Sequence, residues 1–461
     1  MKKLASGIML LAALATSALS AGATTPAATP QDIEVLLQKG QGLYQQAQYD
    51  EAIAVFEDID KQFGAAKDAA TRERVATALG FKGAALQDKR YRGKALEVWE
   101  EADRRYARDS DPAMRATLSR LLYNRLYTLV GLSIRGPHKD QQAEFESAMV
   151  VFDEFERRYG QDQDPAIREM AVLAFFQKAV ALGHRPREKD TDTYEFSAYR
   201  NKESVAVLDE LVRRYGADND PAVREVAARA LFAKASTFSQ IGRHQDKDAA
   251  YAELDRRYGQ DETPAVRVLV IQGLAGKAWG LVQDSNMSGQ KTKDNYIPAI
   301  AAMDEIIRRF GQDRNAEVQQ QVIEVYFNKV KALRSVQDAP VKEIVALYDE
   351  IIRLYGQDAT AAIRAQVARA LCGKGVFLAD SRPKEALAVL DEVDKRYAGD
   401  TTSAVRVQVA NALLGKGKLF LGQKQHHQAN AAFEQVIKRY KGEKGLSREV
   451  SLADFYRYGE R

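Results

Sequence analysis

Charged side chains recur at regular places along this chain and are the first candidates for chemistry. One cation column reads Lys39, Lys82, Arg125, Lys178, Lys234, Lys277, Lys329, Lys374 and Lys416. An acid column reads Asp58, Glu101, Glu154, Glu210, Glu253, Glu305, Glu350 and Glu392, with Gln435 closing the series. A third column is arginine: Arg72, Arg115, Arg168, Arg224, Arg267, Arg364 and Arg406. A cationic spine of this kind could grip an acidic ligand. The same residues could instead form a ladder of ion pairs between helices. The ladder is favoured, because cation and acid columns match copy for copy, ends included, whereas a ligand touches only a few copies. Partly buried pairs add little net stability but fix register. The arginine column falls near expected helix N-termini, where a cation is unfavourable. An acid such as Asp109, Asp162, Asp218, Asp261, Asp313, Asp358 or Asp400 is expected to offset it.

Other reactive groups are sparse. The five histidines, His138, His184, His244, His426 and His427, fall in expected turns, and none is paired with another ligand one helical turn away. Metal binding is therefore not expected. Cys372 is the only cysteine and sits among apolar neighbours, which reads as a small buried thiol rather than a reactive one. No G-x-S-x-G, H-E-x-x-H or phosphate-binding glycine loop occurs. The G-K-G strings at Gly373 and Gly415 lie inside expected helices, not on a strand-to-helix loop. The chain reads as a non-enzyme without a cofactor.

The columns are positioned by a repeat. Its marker is the aromatic of an Arg-Arg-Tyr-Gly-like string, at Phe63, Tyr106, Tyr159, Tyr215, Tyr258, Phe310, Tyr355, Tyr397 and Tyr440. The unit is 42 to 45 residues, with insertions at Ser133 to Glu144, His184 to Lys202 and Asp284 to Ile297. Five residues past the aromatic stands a helix-capping type: Asp68, Asp111, Asp164, Asp220, Thr263, Asn315, Thr360 or Thr402. Proline follows in four copies, at Pro112, Pro165, Pro221 and Pro264, and suits the first helical turn. A helix of about eighteen residues is expected next, then a turn, then a second amphipathic helix ending on the aromatic. Seven residues before the aromatic is a large apolar knob: Phe56, Trp99, Phe152, Leu208, Tyr251, Met303, Tyr348, Leu390 or Phe433. Four residues earlier a small residue is common, as at Ala52, Ala95, Ala148, Ala299, Ala386 and Ala429.

The strings Gln48 to Phe56 and Pro383 to Leu390 are similar to the turn and second helix of the tetratricopeptide repeat. The resemblance covers Asp32 to about Tyr440. It departs from the family in its longer unit and in mostly lacking the aromatic early in the first helix. It implies an all-α fold, a right-handed helical-hairpin solenoid with a concave groove that recognises polypeptides.

The chain has 461 residues, 45% of them hydrophobic and 29% charged, and a net charge of +4 that includes leader residues Lys2 and Lys3. That balance gives no reason to expect nucleic acid or an anionic surface as partner. Residues 1–23 read as a secretory signal: the two lysines, an apolar run to Leu19, and Ala21-Gly22-Ala23 as cleavage site, with Ala18-Leu19-Ser20 as competitor. No other stretch reaches membrane-spanning length by inspection. Residues 24–31 read as a flexible lead-in, 32–442 as about nine hairpins, and 443–461 as a C-terminal cap with a helix from Leu446 to Tyr458. The mature protein is expected in the periplasm or outside the cell.

Function in such an array is expected where copies diverge. The second insertion mixes Arg185, Arg187, Lys189, Tyr194, Phe196 and Tyr199. Two residues before the column cation, Tyr123, Phe176, Phe232 and Phe327 are expected in the core. Two residues after it the copies vary, and the resemblance places this side of the first helix in the groove. Tyr127 and Trp279 are the candidates there, with Arg120, Arg229 and Lys331 nearby. The reading is a scaffold that binds protein or peptide partners. The alternative is a carbohydrate-associated protein of the cell envelope that takes a glycan.

Overall fold

The computed structural model describes residues 30–186, 193–287, 293–336 and 340–458. The expected signal segment and most of the lead-in lie outside the described residues, as do Arg187 and Lys189. The side chains of Tyr194, Phe196 and Tyr199 fall outside them too. Among the described residues there are nineteen α-helices and no strand. They run α1 Pro30–Gln45, α2 Tyr49–Phe63, α3 Ala69–Asp88, α4 Arg92–Tyr106, α5 Pro112–Arg135, α6 Gln141–Tyr159 and α7 Pro165–Gly183. Next come α8 Thr193–Tyr215, α9 Pro221–Gln240, α10 His244–Tyr258, α11 Pro264–Met287, α12 Lys293–Phe310 and α13 Ala316–Ser335. The chain closes with α14 Val341–Tyr355, α15 Ala361–Leu378, α16 Pro383–Tyr397, α17 Ser403–Gly422, α18 His426–Tyr440 and α19 Ser447–Tyr458. The fold is an all-α repeat of helical hairpins.

Every second helix from α2 to α18 ends on the marker aromatic. The helix starts are more varied than expected. Asp68, Asp111, Asp164, Asp220 and Asn315 accept backbone amides of the turn they open. Thr360 and Thr402 do not cap with their side chains; their own amides instead donate to Asp358 and Asp400. The shorter threonine hydroxyl is the weaker cap of the set. Most of the described residues of the three insertions lie in helices. The first helices α5 and α11 reach 24 residues, against 20 in α3 and α9, and the second helix α8 reaches 23, against 15 in α10 and α16. A helix pairs its own backbone groups, which a long loop cannot do.

Packing divides the chain into two units, up to Thr128 and from Leu129, with the division inside α5. In the first unit α1 packs on α2, α3 on α4, and α3 on both α1 and α2. In the second, each first helix from α7 to α17 packs on its hairpin partner and on the next first helix. Each second helix from α6 to α16 packs on the following first helix, and α19 covers α18 and α17. One stretch inside α11, Pro264–Ser285, is long and apolar enough to cross a membrane, with mean hydropathy 1.3. It thereby departs from the expectation that no such stretch follows the leader. It is packed between α9, α10, α12 and α13.

All nine knobs are buried. Glycines on the facing first helix make the room. A β-carbon on Gly83 would run into the Trp99 indole, and one on Gly375 would lie 2.6 Å from Leu390. Gly40 stands likewise against Phe56. The G-K-G strings therefore have a packing role: Gly373 faces Tyr348 of the preceding hairpin, while Gly375 faces the knob of its own. The small-residue column is fully buried at Ala52, Ala95, Ala148, Ala299, Ala386 and Ala429. Lys247 takes the equivalent place in α10 and is nearly buried there beside Asp248, 3.4 Å away. Cys372 is buried, its thiol hydrogen-bonds the Gln408 carbonyl at 3.1 Å, and burial pushes it up to about 12. We expect Gly83→Ala to destabilise the protein by about 1–3 kcal/mol through overpacking against Trp99. Gly93→Ala, where the added carbon meets open space, should leave stability unchanged or raise it by up to about 1 kcal/mol. Urea unfolding of both variants checks this.

Candidate functional site

The charge columns are mostly committed to the scaffold, but not with the partners expected. The column cation pairs with the acid six residues before the preceding aromatic, not five. The pairs are Lys82–Glu57 at 2.9 Å, Arg125–Glu100 at 3.5 Å, Lys178–Asp153 at 3.9 Å, Lys329–Asp304 at 2.6 Å and Lys374–Asp349 at 2.7 Å. Lys234–Asp209 and Lys416–Asp391 follow the same rule. Each joins a first helix to the second helix of the hairpin before it. In every pair the cation follows the acid by 25 residues, a spacing that skips the insertions and was readable from the sequence.

The acids five residues before the aromatic serve a different purpose. Glu210 receives Arg213 and Arg214 from its own helix, at 2.5 Å each, and Glu253 receives Arg256 and Arg257. Hydrogen bonds from Arg213 first, then Arg214, hold the Glu210 carboxyl at about 2. Arg256 leads in holding Glu253 at about 2. The arginine just before the aromatic also reaches back one hairpin: Arg105 to Asp60 at 2.6 Å, Arg214 to Glu156 at 2.5 Å and Arg309 to Asp255 at 2.7 Å.

The third column is offset by aspartate, as expected, with the partner lying beyond the second helix of the same hairpin. Arg72–Asp109, Arg224–Asp261 and Arg364–Asp400 close at 2.8 Å, and Arg168–Asp218 and Arg267–Asp313 close likewise. Clefts of about 290 to 580 Å³ open beside these arginines, at Arg72, Arg168 and Arg267. Their cations already hold acids, so these clefts are joints of the scaffold. No cluster of three metal-ligating side chains occurs among the described residues.

The groove candidates separate. Arg120 and Tyr127 lie in the first unit. Arg120 donates to Thr117 Oγ1 at 3.1 Å, and Thr117 donates to Glu73 at 2.7 Å. Tyr127 is half-buried, its ring 6.3 Å from that of Tyr123. In the second unit Arg229 pairs with Glu225 on its own helix. Trp279 and Lys331 are brought together: the Lys331 ammonium lies 4.3 Å from the Trp279 ring centroid, joining α11 to α13. Trp279 is half-buried and Lys331 exposed.

The aromatics assigned to the core need correction. Tyr123 is buried, but Phe176, Phe232 and Phe327 are only half-buried. Phe175, one residue earlier, is the buried member of its pair. A residue shifted by one turns about 100° around a helix, so the buried stripe is missed. Phe232 packs on Tyr251 at 5.7 Å between centroids, and Phe327 carries the Arg369 guanidinium at 4.0 Å. Phe327 and Arg369 thus repeat, one hairpin on, the contact of Trp279 with Lys331. Arg369 also holds Glu324 at 2.6 Å, a contact that no sequence spacing singled out.

Both Glu210 and Glu253 are held below the value of about 4.3 for an unfolded glutamate. Their stabilising contribution is complete above that value and disappears as pH falls through about 2. Stability should therefore decline on acidification through that window, and the double variant Glu210→Gln, Glu253→Gln should show a shallower decline. Urea midpoints between pH 5 and 2 read this out.

Residues 411–442 match the tetratricopeptide repeat family. No curated protein matches the chain in sequence. Among solved structures, the apo form of the quorum sensor NprR from B. thuringiensis is similar at 13% identity and a TM-score of 0.39, over 89% of this chain and 99% of that one. The apo form of RapI is similar at 10% identity and a TM-score of 0.40, over 89% and 97%. The matched residues take in most of α17 and all of α18, the last full hairpin before the cap. That hairpin is similar to a tetratricopeptide repeat, and the described residues are built of helical hairpins throughout.

Proposed function

We propose that this protein is a non-catalytic scaffold, exported to the periplasm, that binds polypeptide partners. The contact that carries the reading is Lys331 over Trp279. Most other cations of the first helices are absorbed by ladder acids. Here a half-buried tryptophan and an exposed lysine without a ladder acid share one surface across two hairpins. Tryptophan flanked by cations is the side-chain set that anchors polypeptide interfaces. The similarity of residues 411–442 to the tetratricopeptide repeat family supports the same reading. Export rests on the leader reading of residues 1–23.

A photo-crosslinking amino acid in place of Trp279 should form polypeptide adducts in an envelope fraction. Trp279→Ala with Lys331→Ala should weaken the isolated partner by roughly 30-fold, the effect of one interface hot spot. Adducts to glycan alone would transfer the protein to the carbohydrate-associated class. The mature N-terminus should start at Thr24, or at Ala21 if the competing site is used. A cytoplasmic chain that retains Met1 contradicts export.

A further inference from the structure

The turn between α3 and α4 runs against the charge rules of the other hairpins. It reads Lys89, Arg90, Tyr91, Arg92, Gly93 and Lys94. The second helices α2, α6, α10, α12, α14 and α16 each carry an acid in their first turn. α4 carries none there and begins with Arg92 and Lys94 instead. Cations at a helix start oppose the helix dipole, so these two weaken the helix they open. Neighbouring acids do not absorb them. Lys89 pairs with Asp50. Arg90, Arg92 and Lys94 are exposed and make no ion pair among the described residues, and Glu97 further along α4 pairs with none of them. Comparable turns hold an acid of their own: Arg243 meets Asp246 at 2.7 Å and Arg382 meets Glu385 at 3.3 Å. Tyr91 stands in the middle of this run. Its ring is 52% exposed, with the Lys89 and Lys94 ammonium groups 5.4 and 5.7 Å from its centroid. The other exposed ring among the described side chains, Phe455, follows an acid, Asp454. A second run of exposed cations without ion pairs, Lys438, Lys441 and Lys444, flanks Tyr440, which is buried. Unpaired cations and an exposed ring therefore coincide at one turn of the described chain.

We propose that the turn between α3 and α4 docks the protein on an anionic lipid surface, with Arg90, Arg92 and Lys94 on the headgroups and the Tyr91 ring at their level. Charge complementarity and shape carry the argument. Successive exposed side chains on a turn between antiparallel helices form a convex tip. A convex tip meets a flat surface rather than enclosing a polypeptide segment. Tyrosine presents an apolar body and a polar end, which suits the boundary between headgroups and acyl chains. Each basic side chain near an anionic leaflet adds its own attraction, which fades within a Debye length and is screened by salt. The near-neutral total charge hides this local excess. The tip belongs to the first packing unit and Trp279 to the second, so the proposal goes beyond the scaffold reading and does not depend on it.

The test is co-sedimentation of the mature chain with vesicles of phosphatidylcholine containing about one-third phosphatidylglycerol, an anionic surface of the required kind. The chain should sediment with them, less so as salt rises, and should not sediment with phosphatidylcholine alone. Arg90→Gln, Arg92→Gln and Lys94→Gln should each weaken binding about fivefold, the contribution of one basic side chain near such a surface. Tyr91→Ser should weaken it as well. Arg92→Glu should weaken binding further while keeping or raising the melting temperature, because an acid suits the start of α4. Lys438→Gln, Lys441→Gln and Lys444→Gln together remove as much charge away from the tip and should leave binding unchanged. Failure of the unsubstituted chain to sediment overturns the proposal. So does equal binding by the chain with all three tip cations replaced, or an equal loss from the three replacements around Tyr440. Tighter binding to polyglutamate, to an oligogalacturonate or to a nucleic acid than to the vesicles reassigns the tip to a soluble polyanion and overturns it too.

Discussion

The aspartates three residues beyond Tyr106, Tyr215, Tyr258, Phe310 and Tyr397 tie successive hairpins to one another. In Asp109 one carboxylate oxygen accepts the amide of Asp111 at 3.1 Å, and the other accepts Arg72 at 2.8 Å. Asp218, Asp261, Asp313 and Asp400 repeat the arrangement, each with one oxygen on the amide two residues ahead and the other on the column arginine. These carboxylates are about nine-tenths buried. Removing either partner would leave a charge buried without compensation, which is far more costly than the pair is stabilising. The aspartate therefore shapes the turn that starts the next helix and anchors that turn to the helix where its own hairpin began.

Packing follows from that geometry. With the turn held, the second helix sets its knob against the first, and glycine or alanine at the crossing decides how close the two come. Gly83 under Trp99, Gly417 under Phe433 and Gly375 under Leu390 are the same solution with different knobs. The apolar crossing supplies stability, while the ion pairs at its rim supply register. Every copy needs both. That is why the charge columns persist through the array and why most of them have no surplus for a ligand.

The scaffold also departs from its own rules in a few places. At Ala252 an acid is missing from an otherwise regular series, and Lys277 is left unpaired as a result. At Trp279 and Phe327 large rings interrupt a face and gather cations from the neighbouring first helix. Phe327 with Arg369 is balanced by Glu324, whereas neither Trp279 with Lys331 nor Tyr456 with Lys418 has such an acid among the described residues.

The amino-acid sequence alone determined the repeat, the ends of the second helices, the capped starts of most first helices, the knobs and the buried thiol of Cys372. All depend on residues within a few turns of one another, where spacing translates directly into geometry. It also marked Trp279 and Lys331 as residues that break pattern. Only the tertiary structure decided which acid each cation meets. The acids five and six residues before the aromatic are neighbours in the chain but point about 100° apart on a helix. One faces arginines of its own helix and the other faces the next hairpin. The same rotation separated Phe175 from Phe176.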